Sequence, residues 1–167
     1  RFLFVFQPKK KIFKQLIRIF REYYNVRVIK DYTFNCKKYL SNSSVERFYA
    51  LNIVNWKPQH FLTLLKGIYY SLSETGKLIF SLYVSLEPHA KNRKDVVDTP
   101  EEVLKVLNNV AIPIAFYYDD IGILALYVFS KCEVGKIYRE LRRIKKEIDK
   151  KIEGCGEECL NYKMFFS

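Results

Sequence analysis

The chain has 167 residues, of which 49% are hydrophobic and 16% are aromatic. That much apolar surface excludes a disordered chain and predicts a folded protein with its own core. The longest uncharged run, residues 106–118, has 13 residues, whereas a helix that crosses a membrane needs about 20. We therefore expect one compact unit over residues 1–167, cytoplasmic, with the inner face of the membrane as an alternative peripheral location.

Basic residues are concentrated at the start of the chain. The net charge is +11, and residues 1–40 carry 11 Lys or Arg against 2 acids, whereas residues 99–132 carry 2 against 4. A basic face attracts phosphate backbones or anionic lipid head groups, although it can also serve solubility alone. The candidate residues for binding nucleic acid or an anionic surface are Lys10, Lys11, Lys14, Arg18, Arg21, Arg27 and Lys30.

The order of predicted elements in the first half is βαββαβ. The sequence begins at Arg1 without a methionine and enters a predicted strand at once, which we interpret as the sign of a piece cut from a longer protein. Pro58 favours a helix start, and Thr75-Gly76 predicts its end. Strands are predicted over residues 2–7, 26–36, 47–55 and 77–86, and helices over residues 10–25 and 58–72.

The second half predicts the order αββαβ. Thr99-Pro100-Glu101-Glu102 has the pattern of a capping box, in which Thr99 and Glu102 satisfy the first amides of a short helix that ends at Asn109. A hairpin around residues 119–120, a helix over 133–153 and a strand over 160–166 follow. The predicted fold class is α+β, an antiparallel sheet with helices on one face, arranged as two ferredoxin-like halves (1–87 and 88–167) or as one extended sheet.

Short motifs of the common enzyme classes are absent from the sequence. It contains no GxxxxGK[ST], GxGxxG or GxSxG, and no His-hydrophobe-His pair. Asp95, Asp98, Asp119 and Asp120 could form a metal-binding carboxylate set, but the last two lie where a hairpin turn is predicted. We therefore expect a chain that is not an enzyme, with no cofactor, no metal and no small-molecule substrate.

The cysteines and histidines have ordinary structural interpretations. Cys36 and Cys132 lie at the ends of apolar runs, where a thiol behaves as a small hydrophobe. Cys155 and Cys159 are close in sequence, so a disulfide or metal ligation are alternatives to free thiols. His60 follows the predicted helix start, which favours a polar residue of the first turn over a catalytic group.

Aromatic side chains in the predicted strand before the last helix suggest a second kind of binding site. Tyr127 and Phe129 fall on the same side of that strand. RNA-recognition modules stack bases on such sheet aromatics, but a pair of this kind equally suits a core. The basic residue and glycines of the RNA-recognition signature are missing from residues 123–129.

Three segments form a longer pattern: RFYALNIVNW at residues 47–56, FLTLLK at 61–66 and GKLIFSLYVS at 76–85. This order of strand, helix and strand resembles the region that precedes the motor in type IV secretion and conjugative DNA-transfer ATPases. The strand that ends at residue 130 and the charged helix over 134–152 are similar to the continuation, so the resemblance covers residues 45–166.

The resemblance implies a non-catalytic docking and assembly domain, because the ATP-binding motifs of that family lie in a separate motor. Its implied partners are other protein subunits, either copies of itself or membrane channel proteins. The alternative is a stand-alone basic, ferredoxin-like accessory protein, archaeal or viral, that binds single- or double-stranded nucleic acid. A small nuclease of the CRISPR RNA-processing type is disfavoured, since the expected glycine-rich loop is absent.

Overall fold

The computed structural model describes residues 33–51, 55, 58–85, 99–119 and 122–151, together with Arg18 and Phe165. The strands in this part of the chain are β1 (Val45–Ala50), β2 (Leu72–Ser85), β3 (Ile114–Asp119) and β4 (Gly122–Ser130). The α-helices are α1 (Phe61–Ser71), α2 (Glu101–Asn108) and α3 (Lys131–Lys151), and two short 3₁₀ helices span Thr33–Lys38 and Pro58–His60. The predicted α+β class is confirmed.

The four strands form one sheet in the order β1-β2-β4-β3. β1 and β2 are parallel, and the two other pairs are antiparallel. The prediction of an antiparallel sheet is therefore wrong for the pair β1 and β2. The connection through α1 returns the chain to the end of the sheet at which β1 begins, so β2 runs in the same direction as β1. In the split βαβ unit of a ferredoxin-like half a further strand lies between the two, so the ferredoxin-like halves are not confirmed.

The three helices cover one face of the sheet, as predicted. Phe61 of α1 stacks on Phe80 of β2, with ring centroids 5.6 Å apart. Phe129 of β4 lies 6.5 Å from Phe80 and stacks at 5.2 Å on Tyr127. The Tyr127 hydroxyl donates a hydrogen bond to Asn108 at the end of α2. The buried face of α3 consists of Val134, Ile137 and Leu141, so the core lies between this sheet face and the helices.

Three predicted helices and the hairpin of β3 and β4 are confirmed, but several boundaries are wrong. α1 ends at Ser71, and β2 runs straight through Gly76. An added Cβ at Gly76 would lie 2.7 Å from the carbonyl oxygen of Val45, so this glycine permits the close approach of β1 rather than ending a helix. Residues 33–36 of the predicted strand 26–36 are 3₁₀-helical, and Phe165 of the predicted strand 160–166 is helical.

Other predictions fall outside the described residues. These are the strand over 2–7, the helix over 10–25 apart from Arg18, and Asp95, Asp98, Asp120, Cys155 and Cys159. Arg18 is helical and exposed. Cys36 is buried and Cys132 is exposed, and both are free thiols. Burial raises the pKa of the Cys36 thiol to about 11, which fits its interpretation as a small hydrophobe.

The predicted capping box at Thr99 does not form. The N-cap of α2 is Pro100, without a capping hydrogen bond from a side chain. Thr99 instead donates its hydroxyl to the Tyr83 carbonyl at 2.8 Å and accepts from the Asn55 amide at 3.0 Å. A hydroxyl committed to these buried groups cannot turn towards the first amides of the helix.

A capping box does form at the start of α3. The Glu133 carboxylate accepts from the backbone N–H of Ser130 at 2.6 Å and from its hydroxyl at 2.7 Å. The Glu133 N–H in turn approaches the Ser130 hydroxyl at 3.4 Å. The backbone N–H of Ser130 is the main reason that the pKa of Glu133 is lowered.

The Asn55 side chain closes the sheet beyond the end of β1. Its amide oxygen accepts the Tyr83 N–H at 2.8 Å, and its amide nitrogen donates to the Tyr83 carbonyl at 3.1 Å. These are the bonds that a neighbouring strand would make, supplied here by a fully buried carboxamide. Backbone groups of a buried strand need such partners, because an unmade hydrogen bond is expensive there.

Replacing Glu133 with alanine should lower the free energy of unfolding by about 1 kcal/mol at pH 7, because the capping box is lost. A carboxylate whose pKa is lowered by folding stabilises the folded state at pH values above its pKa in the unfolded chain. This stabilisation disappears as the pH falls through the pKa of the folded state. The difference between Glu133→Ala and wild type in urea denaturation should therefore shrink at low pH. Glu102→Ala is the matched control and should have the smaller effect at pH 7; an equal loss in both variants would contradict the assignment.

Asn55→Ala should destabilise the fold by roughly 3 kcal/mol, since it leaves the N–H and C=O of Tyr83 buried without their partner. Asn109→Ala makes the same chemical change at an exposed position and should shift stability by less than about 0.5 kcal/mol. Thermal and urea unfolding of the two variants measure the difference. Similar stabilities would show that Asn55 does not close the sheet.

Candidate nucleic-acid interface

Two binding regions are expected from the sequence, namely the cationic residues near the start of the chain and the aromatic pair Tyr127 and Phe129. Of the cationic residues proposed for the first helix, the structure describes only Arg18, and the others lie outside the described residues. Tyr127 and Phe129 are each 1% exposed and pack against each other on the helix-covered face. They cannot stack bases, so an RNA-recognition platform on this pair is excluded.

A different set of aromatic and basic side chains lies on and around the C-terminal half of α1. We call it the basic–aromatic surface, and define it as Lys37, Lys66, Tyr69, Tyr70, Lys131 and Arg139. The residues come from three separate elements, the 3₁₀ helix Thr33–Lys38, α1 and α3. Helices α1 and α3 pack against each other, and the 3₁₀ helix packs against α1.

The end of α1 is fixed by the loop before β1. The backbone N–H groups of Ser43 and Ser44 donate to the carbonyls of Tyr70 and Ser71, at 2.8 and 2.9 Å. Ser43 has a φ of 53°, a left-handed conformation that few residues other than glycine adopt. These bonds satisfy carbonyls that a helix end otherwise leaves without partners, so the turn that carries Tyr70 has a defined position.

Each tyrosine ring of this surface faces a lysine. The Tyr69 and Tyr70 rings meet edge to face at 5.3 Å. The Lys37 ammonium lies 4.7 Å from the centre of the Tyr70 ring, and the Lys131 ammonium lies 5.9 Å from that of Tyr69. Both distances lie within the range of a cation–π interaction.

Gly135 lets the Tyr69 ring lie close against α3. A Cβ added at Gly135 would lie 2.9 Å from the Tyr69 ring and 3.6 Å from a guanidinium nitrogen of Arg139. The ring and the guanidinium therefore share the space above this glycine. Tyr69 is half-buried as a result, whereas Tyr70 remains 41% exposed.

Three of the four cations on this surface are not neutralised by described residues. Lys131 pairs with Glu74 at 2.7 Å and donates to the Ser43 hydroxyl at 3.1 Å. Within the described ranges, Lys37, Lys66 and Arg139 form no ion pair with a carboxylate. Lys66 lies four residues before Tyr70, on the same side of α1. The surface thus combines a net positive charge with an accessible ring.

The C-terminal half of α3, which we call its distal part, carries charges that are paired with one another. Arg143 bridges Glu140 and Glu147, and Lys145 pairs with Asp149 at 3.6 Å. Paired charges of both signs at these spacings are typical of a solvated helix face. Such a face is a weaker attractor for a polyanion than the basic–aromatic surface.

A groove of about 490 Å³ lies between α2 and α3. Its charged lining is mixed, with Glu102 and Glu140 beside Lys105, Lys136 and Arg139. Among the side chains that the structure describes, no three of His, Cys, Asp and Glu are placed to hold a metal ion. The described helices also include none with both the length and the apolar character of a membrane span.

Sequence reasoning missed the basic–aromatic surface, although part of its signal is local. Lys66 and Tyr70 are separated by one helical turn, which places them on one face. Tyr69 is half-buried and packs against the core. Lys37 and Lys131 join these residues only through the tertiary fold, which no local spacing reveals.

Comparisons with known proteins return no match: no family model, no curated protein and no solved structure is similar to this chain.

Proposed function

We propose that this chain is a non-catalytic binding protein that holds nucleic acid on its basic–aromatic surface. The single observation that carries the proposal is the placement of Lys37, Lys66 and Arg139, without described carboxylate partners, around the tyrosine pair at the end of α1. Proteins that bind nucleic acid strands combine cations for the phosphates with aromatic rings for the bases.

The overall charge supports a polyanionic partner. The chain carries a net charge of +11, and the predicted first helix would add Lys10, Lys11, Lys14, Arg21 and other cations to the described ones. Phosphate contacts of this kind produce affinity that falls steeply with salt and depends little on sequence. The proposed role is therefore that of an accessory protein rather than a sequence-specific reader.

Replacing Lys37 and Lys66 together with glutamine should weaken oligonucleotide binding about tenfold near 0.1 M salt, because two phosphate contacts are lost. It should also reduce the slope of log affinity against log salt by about 1.4, or 0.7 for each contact with a single strand. Fluorescence anisotropy with a labelled 15-nucleotide strand measures both quantities.

The matched control for this experiment is the pair Lys146→Gln and Lys150→Gln. Both residues are exposed on the distal part of α3, and Lys150 lies about 22 Å along the helix from Gly135. The control also removes two positive charges, so a general electrostatic effect would weaken oligonucleotide binding equally in both variants. That result, or wild-type affinity in the Lys37/Lys66 variant, would contradict the proposed surface.

A docking and assembly domain of a conjugative DNA-transfer ATPase is the second candidate. The observation that favours it is an apolar edge on the far side of the sheet. Ile112 is 93% exposed, Ile114 of β3 is 66% exposed and Val128 of β4 is 52% exposed. Ile114 pairs with Leu126, two residues from Val128, so the side chains of Ile114 and Val128 lie on the same face of the sheet. Exposed apolar patches next to an edge strand are typical of protein contacts.

If the apolar edge mediates assembly, Ile114→Lys should shift the protein towards the monomer in sedimentation velocity at high concentration. A lysine on an edge strand blocks strand-to-strand association without a folding penalty at an exposed position. Lys77→Gln, a change at an exposed position on β2, is the control. If the wild-type protein is monomeric at all concentrations, self-assembly through this edge is ruled out.

A further inference from the structure

We propose that the nucleic acid held on the basic–aromatic surface is single-stranded, and that one unpaired base stacks on the ring of Tyr70. This inference rests on the proposed function and names the class of its ligand. The bases of a duplex present their edges in the grooves and keep their faces stacked, so only an unpaired base can offer its face to a tyrosine.

Tyr70 is the ring on this surface that a base can reach. Its partner Tyr69 lies against Gly135 and is half-buried, while Tyr70 is 41% exposed. The edge contact between the two rings and the hydrogen bond from Ser43 to the Tyr70 carbonyl hold the exposed ring in place. A ring held before binding loses little conformational entropy when a ligand stacks on it.

The lysine over the ring provides the second half of the contact. The Lys37 ammonium lies 4.7 Å from the centre of the Tyr70 ring, at the end of a flexible side chain with four methylene groups. A base that takes this position displaces the ammonium towards the neighbouring phosphate, which is the better partner for a cation. Lys66, one turn earlier on α1, is placed to contact a second phosphate.

Adjacent side chains of one binding site for single-stranded nucleic acid thereby recognise a base and a phosphate. No specific hydrogen bond to a base edge is involved, so the site should accept many sequences. Pyrimidine strands such as oligo(dT), which have little structure of their own, are the suitable probe.

The test compares the full chain, three tyrosine variants and the Lys37/Lys66 variant with a 15-nucleotide oligo(dT) and a 15-base-pair duplex, by fluorescence anisotropy at 0.1 M salt. Tyr70→Leu removes the stacking ring, Tyr70→Phe keeps it, and Tyr39→Leu changes another exposed tyrosine of the described surface. Circular dichroism melting checks that each variant is folded. We expect Tyr70→Leu to lose about fivefold or more in affinity for the single strand, with little change in affinity for the duplex.

Tyr70→Phe and Tyr39→Leu should retain wild-type affinity for the single strand, since stacking requires a ring at position 70 alone. Wild-type single-strand affinity in Tyr70→Leu, or equal losses on strand and duplex, would overturn the stacking proposal. If the Lys37/Lys66 variant still loses affinity in that case, the proposed function stands without it. Absence of binding to both probes by the wild-type protein would overturn both.

Discussion

Strand β2 lies between β1 and β4, and its residues 80–83 are buried on both faces of the sheet. Leu78, Phe80 and Leu82 point into the helix-covered core, while Ser81 and Tyr83 are buried on the opposite face. A strand so enclosed needs a partner for every backbone polar group. β1 ends at Ala50, which pairs with Phe80, and the Asn55 carboxamide takes over at Tyr83. The same group of bonds captures Thr99 and fixes where the chain enters α2.

This arrangement also determines which residues are left for function. The sheet aromatics Phe80, Tyr127 and Phe129 are needed inside the core. There Phe80 stacks on Phe61 of α1, Phe129 packs against Phe80, and Tyr127 stacks on Phe129. The helix layer therefore presents its own aromatic residues. The last turn of α1, which accepts hydrogen bonds from Ser43 and Ser44, places Tyr70 at the surface beside Lys37. Function, on this account, belongs to the outer side of the helices rather than to the sheet.

The sequence predicts those features that depend on local periodicity. The spacing of Val134, Ile137 and Leu141 is sufficient to place α3, and the β3–β4 hairpin follows from its turn. The pattern S/T-x-x-E, however, occurs at both Thr99 and Ser130, and only the second forms a capping box. The difference is the competition for the Thr99 hydroxyl by Asn55 and Tyr83, residues 44 and 16 positions away. The basic–aromatic surface is hidden for the same reason, because Lys37 meets Tyr70 only after the chain has folded.

Photo-crosslinking with an oligonucleotide that contains 5-bromouracil, followed by mass spectrometry of the peptides, tests the account most directly. If nucleic acid lies on the basic–aromatic surface, the main crosslink should fall on the peptide that contains Tyr69 and Tyr70 at the end of α1. Crosslinks confined to residues 10–30, or to the apolar edge around Ile114, would contradict it and assign binding to a different part of the chain.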